Sequence, residues 1–172
     1  MMTSLVLTVI GPDKPGLVEM LAQTITDNKG NWLESGMSRL AGKFAGILIA
    51  EVPEDNCEQL ISALNALETQ GLKVIAERSE APTGAAITQS ITLELIGHDK
   101  PGIVRDISSA LAKRHVNVER LSTELVSGSM SAELLFKADA ELTVPEELDL
   151  DELQEALENI ASDLMVDITI NS

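Results

Sequence analysis

Two tandem α+β domains, each of the order βαββαβ, are predicted by three features of the sequence. The hexapeptide Gly11-Pro12-Asp13-Lys14-Pro15-Gly16 returns 86 residues downstream as Gly97-His98-Asp99-Lys100-Pro101-Gly102, each time after an apolar run and before an amphipathic stretch. The register around it reads without a gap from Leu5 to Ala50 against Ile91 to Phe136, with Leu7/Leu93, Ile10/Ile96, Val18/Val104, Asn31/Asn117, Gly42/Gly128 and Leu48/Leu134 identical. The period of the apolar pattern also changes between strand-like and helix-like in the same order in both halves. An offset of 86 exceeds the roughly 20 to 50 residues of a solenoid repeat and suits a compact domain with its own core.

In the first copy, Leu5 to Ile10 is rich in β-formers and ends at Gly11, which predicts a strand and a turn. Pro15 suits the first turn of a helix, where its missing N–H has no partner to lose. Val18, Leu21 and Ile25 then recur at helical spacing until Lys29-Gly30. Asn31 to Leu40 and Phe44 to Val52, separated by Ala41-Gly42-Lys43, predict a hairpin. Pro53-Glu54-Asp55 opens a second helix carrying Leu60, Ile61, Leu64 and Leu67 on one face, and Gly71 stops it before a last strand, Leu72 to Ala76. The second copy repeats the order: a strand at Ile91 to Ile96, a helix with Val104, Ile107 and Leu111, and a hairpin around Ser127-Gly128. A helix with Leu150, Leu153, Leu157 and Ile160 follows, then a closing strand in which Val166, Ile168 and Ile170 alternate. Small and polar residues from Ser79 to Gln89 mark the boundary, giving domains at 1–80 and 89–172 joined by a linker at 81–88. Two helices on one face of a four-stranded antiparallel sheet form the split βαβ, ferredoxin-like arrangement. Its bare face and edges need cover, so the two domains are expected to be packed together.

Three aromatic residues, Trp32, Phe44 and Phe136, serve the whole chain of 172, so aliphatic side chains must fill the cores. The same scarcity removes the stacking platforms used for single-stranded nucleic acid. Net charge is −16, divided as −5 over residues 1–86 and −11 over 87–172, with no cluster of Lys and Arg. Such a chain repels phosphate backbones, so control of transcription must pass through another protein. Glu146, Glu147, Asp149, Asp151, Glu152, Glu155 and Glu158 gather at the start of the last predicted helix. There they either favour the positive end of its dipole or form an acidic docking surface. Cys57 is the only cysteine, which leaves no internal disulfide, and its spacing to Leu60 and Leu64 makes it a core-facing structural thiol. The N-terminal residues lack the features of a signal peptide, and no apolar run approaches the roughly 18 residues of a membrane span. The expectation is a cytoplasmic protein without membrane contact.

The repeated loop has physical reasons to bind something small. Gly11 and Gly16, and Gly97 and Gly102, allow close approach to the backbone, and the following helix presents unpaired N–H groups to an anion. Asp13 or Asp99 can take the ammonium end of an amino acid, while the amide of Asn31 or Asn117 both donates and accepts. Trp32, beside Asn31, is expected to report on the first loop. His98 stands where the first copy has Pro12, next to the expected pocket, and His115 follows Arg114 at a helix end. The alternative is purely structural: Asp13 and Asp99 cap the helices, and the glycines serve turn geometry.

Strand, Gly, Asp, Lys, Pro, Gly, helix resembles the first loop of ACT domains, small regulatory modules that bind amino acids and similar metabolites. Each loop is followed fifteen residues after its last glycine by Asn, and the likeness spans nearly the whole chain, twice. Two such copies with no catalytic or DNA-binding domain attached resemble the glycine cleavage system transcriptional repressor family, a likeness strengthened by the hairpin Ser38-Arg39-Leu40-Ala41-Gly42-Lys43-Phe44. The resemblance implies contact of the ligand by the loop and by the Asn opening the second strand, hence Asp13, Asn31, Asp99 and Asn117. It further implies glycine as the ligand and a transcriptional activator as the partner.

No catalytic constellation stands out. Gly-x-Ser-x-Gly and His-Glu-x-x-His are absent, and the two histidines have no metal-ligand pattern around them, so neither an enzyme nor a cofactor is expected. Two functions of different kinds remain. One is a sensor in which an amino acid binds between the copies or between subunits and changes docking on the activator. The other is a constitutive interaction or dimerisation module, with the exposed sheet edges favouring a homodimer.

Overall fold

The computed structural model describes residues 1–79, 88–127 and 133–172. The chain divides into two compact units, Met1–Thr83 and Gly84–Ser172. In the first, β1 (Met2–Pro12), α1 (Leu17–Asp27), β2 (Asn31–Leu40), β3 (Lys43–Pro53), α2 (Cys57–Asn65) and β4 (Lys73–Arg78) follow in order, with 3₁₀ turns at Glu54–Asn56 and Ala66–Gln70 on either side of α2. The second contains β5 (Thr88–His98), α3 (Ile103–Lys113), β6 (Asn117–Ser127), β7 (Leu134–Pro145), α4 (Leu150–Leu164) and β8 (Val166–Asn171). The strands form two antiparallel sheets, ordered β2-β3-β1-β4 and β6-β7-β5-β8. Each unit is the ferredoxin-like βαββαβ arrangement the sequence predicts. Of the expected linker at 81–88, only Thr88 lies within the described residues, and it opens β5. Gly128 of the expected hairpin tip lies outside them.

Strand alternation and helix spacing converge on one core per unit. Leu5, Leu7 and Val9 of β1 meet Leu48, Ala50 and Val52 of β3, and Leu21, Ile25, Leu60 and Leu64 from the two helices close over them. Each such leucine contributes about 1.5–3 kcal/mol by leaving water. Leu93, Leu95, Ile107, Leu111, Leu153 and Leu157 repeat the pattern in the second unit. The inward edge of α1 and α3 differs by one residue from the predicted one. Leu17 and Ile103 are buried, whereas Val18 and Val104 are 46% and 42% exposed. The helices begin directly after Gly16 and Gly102, and spacings of four from Leu21 and Ile107 select positions 17 and 103.

The gapless register also fails beyond the hairpin. Leu7 pairs with Leu48, but its repeat Leu93 pairs with Ala140, so β3 and β7 lie 92 residues apart while β1 and β5 lie 86 apart. Leu48/Leu134 is therefore a coincidental identity, and Phe44 and Phe136, each opposite the first glycine of its loop, are true mates. The six extra residues lie in the second hairpin. Ala41 and Gly42 alone join β2 to β3, with φ of 50° and 79°, the left-handed pair of a type I′ turn. An insertion of even length preserves the inward and outward alternation, which is why the sequence pattern conceals it.

Candidate ligand site

Each expected loop sits between the end of a central strand and a helix that starts on a left-handed glycine. Gly16 and Gly102 both have φ of 93° and stand at the N-cap, where any side chain would be strained. No side chain caps either helix, so Asp13 and Asp99 do not serve as caps. The first-turn N–H groups of α1 and α3 thus have no side-chain acceptor at the positive end of each dipole.

The first loop holds a complementary pair of charges. The Asp13 N–H donates to the Gly42 carbonyl at 3.0 Å, which fastens the loop to the hairpin turn. Its carboxylate pairs with Arg39 of β2 at 3.5 Å. Together with Lys14, Gly16, Val18 and Phe44 they line an open cleft at the helix N-terminus. Arg39, Lys14 and Phe44 were not singled out from the sequence as site residues. The signal for Arg39 was its place two residues before the turn Ala41-Gly42, opposite Phe44, where the hairpin folds back toward the loop.

The second loop keeps the backbone and changes the chemistry. The Asp99 N–H donates to the Leu134 carbonyl at 3.3 Å, the counterpart of the Asp13 bond. Leu125 occupies the register position of Arg39, and among the described residues no cation pairs with the Asp99 carboxylate. His98 Nδ1 instead lies 3.0 Å from Glu133 Oε2, both side chains being more than half exposed.

Gly11 and Gly97 are held to glycine by packing. A side chain on Gly11 would meet the Gly71 carbonyl and Leu72, and one on Gly97 would overlap Val166. Gly11 leaves room for the segment that leads into β4, and Gly97 for the start of β8. Asn31 and Asn117 open their strands as expected, but at the opposite end of the sheet from the loop. Asn31 is level with Ser4 across Glu51, and eight residues of β1 at about 3.3 Å each put roughly 26 Å between it and Pro12. Asn117 is level with Ser90 in the same way, and its Nδ2 donates to Glu119 Oε1 at 3.0 Å. Trp32 shares the far end, its Nε1 donating to Ser35 Oγ at 3.0 Å, so it reports on the Asn31 end and not on the loop of its own unit.

Cys57 is fully buried, and burial pushes its thiol up, which leaves it protonated and unreactive at neutral pH. Glu54 is held below the usual glutamate range by hydrogen bonding from Arg78, then from Thr3. Arg78 reaches it at 3.0 Å and also meets Glu58 at 3.5 Å. Among the described residues no group of His, Cys, Asp and Glu could hold a metal ion, and no helix is long and apolar enough to cross a membrane.

The fold and the twice-repeated loop define a class of small tandem modules, and comparison with known proteins says which. The ACT domain matches at residues 3–76 and again at residues 91–162. The chain belongs to the ACT-domain family and contains two such domains in tandem. Among solved structures it is similar to a protein of unknown function from Galdieria sulphuraria, 26% identical over 99% of this chain and 98% of that one, with a TM-score of 0.88. A candidate glycine cleavage system transcriptional repressor shares the fold at 20% identity and a TM-score of 0.71, over 99% of this chain and 97% of that one. No curated protein matches the sequence significantly.

Proposed function

We propose that this chain is a non-catalytic regulatory protein whose first loop binds an α-amino acid, glycine by family resemblance. Binding changes how the chain docks on a transcriptional activator, without contact to nucleic acid. The observation that carries this reading is the Asp13–Arg39 pair at the mouth of an uncapped helix. A zwitterion offers one carboxylate and one ammonium group; Arg39 and the first-turn N–H groups suit the former and Asp13 the latter. Membership in the ACT family and the fold shared with a candidate repressor support the same reading. The second loop, with Leu125 in place of Arg39, is the weaker site.

The separation of loop and Asn within one unit favours an amide contact supplied by another molecule. When two β2 edge strands from separate chains run antiparallel, the start of one lies beside the end of the other, next to that chain's loop. Asn31 of one chain then completes the site built on Asp13 of its neighbour. For binding to control docking, the ligand must favour one state, and a coupling of about 1–3 kcal/mol changes partner affinity roughly 5 to 150-fold.

The test is thermal stability against amino-acid concentration for the parent chain and for Asp13→Ala, Arg39→Ala and Asp99→Ala. A rise in melting midpoint that Asp13→Ala and Arg39→Ala abolish and Asp99→Ala preserves is the expected result. A midpoint indifferent to every amino acid favours the constitutive interaction module.

A further inference from the structure

Directly paired residues of antiparallel strands share a face, so the register identifies what each sheet shows on the side away from its helices. In the first unit that side is aliphatic. Ile10, Ile47 and Ile75 are 45%, 58% and 50% exposed, with Val6 and Ile49 beside them in the neighbouring rows. The second unit shows that the fold does not require this. At the register position of Ile47 it carries Asp139, at Ile49 Glu141, at Thr8 Glu94 and at Ile75 Thr169. One copy of the duplication thus has a water-facing sheet, and the other exposes a contiguous apolar patch of the kind that marks an interface.

We propose that this face of the first unit seats the same face of a second copy of the chain, sheet on sheet, with the strands of the two copies running in opposite directions. The rim selects that partner. Lys43 and Lys73 flank the aliphatic rows at the loop end, and Glu34, Glu51 and Glu77 flank them at the other end. Among the described residues none of the five is in an ion pair. A two-fold axis that reverses the strands lays the lysines of each copy over the glutamates of the other, whereas strands in the same direction stack like on like. In a chain of net charge −16 this nearly balanced face is where two copies approach without strong repulsion. A basic foreign partner suits the carboxylate-bearing face of the second unit better. Four strands about 4.8 Å apart and some 27 Å of strand length give a footprint of about 500 Å² per copy, below the roughly 800 Å² of a standard interface. The dimer is therefore of moderate strength and dissociates on dilution.

Sedimentation velocity of the full chain across the micromolar range tests this. The expected result is a monomer–dimer equilibrium, weakened at least tenfold by Ile47→Asp, which copies the second unit. Two further variants do not touch the aliphatic rows: Lys43→Glu with Lys73→Glu, and Glu51→Lys with Glu77→Lys. Each pair is expected to weaken self-association when alone, and mixing the two is expected to restore a one-to-one dimer. A parent chain that stays monomeric overturns the proposal, and the face then belongs to a different protein or to another part of the same chain. A dimer that survives Ile47→Asp, or charge variants that fail to recombine, overturns it equally.

Discussion

Single residues separate what the loops share from what they do not. Gly16 and Gly102 are required by a left-handed N-cap; the sequence puts Pro15 in the first turn of the helix, whereas α1 starts two residues later because Gly16 takes the cap. Gly11 and Gly97 look the same in sequence, yet the atoms that exclude a side chain from Gly97 belong to Val166, far along the chain. A glycine beside a ligand and a glycine beneath a packed strand leave the same mark in a sequence. Arg39 escaped for a related reason, since its pairing with Asp13 exists only once the hairpin has folded back. The helix ends offer a direct check. The segments between the second helix and the last strand end on Gly71 in the first unit and on Met165 in the second, with φ of 95° and 59°. A left-handed conformation costs an ordinary residue about 1–2 kcal/mol. Met165 is 73% exposed and loses little packing when removed. Met165→Gly is expected to raise stability by up to about 1 kcal/mol, a gain of several degrees in a thermal melt.

At the scale of elements, order and type were legible because each strand and helix carries its own period. Register between elements was not, because pairing is a property of two segments. The six-residue extension of the second hairpin moved β7 relative to its repeat without disturbing alternation, so only the pairing of Leu93 with Ala140 shows it. The one-residue error at Val18 and Val104 arose where two adjacent apolar residues compete for the inward face and the helix start decides. Electrostatics ties the last strand of the first unit to the turn before α2 through Arg78 and Glu54. Because the folded Glu54 titrates below its ordinary range, this link is present at neutral pH and is lost as pH falls through the lowered value. Arg78→Met should therefore lower the melting midpoint near pH 7 and have a diminishing effect below about pH 4, as melts across that range will show.

For the whole molecule, duplication has kept one backbone and diversified its surfaces. The first unit holds a charged cleft beside its loop and an aliphatic sheet face; the second has a leucine at the arginine position and carboxylates across the corresponding face. Composition made the acidic character evident, but the contrast between faces depends on strand register. The account rests on the first loop as an amino-acid site, and isothermal titration calorimetry of the full chain with each amino acid tests it most directly. Saturable heat with glycine or one close relative, abolished by Arg39→Ala while the fold is retained, is the predicted result. Heat absent from every titration, or binding that persists undiminished in Arg39→Ala, would contradict it.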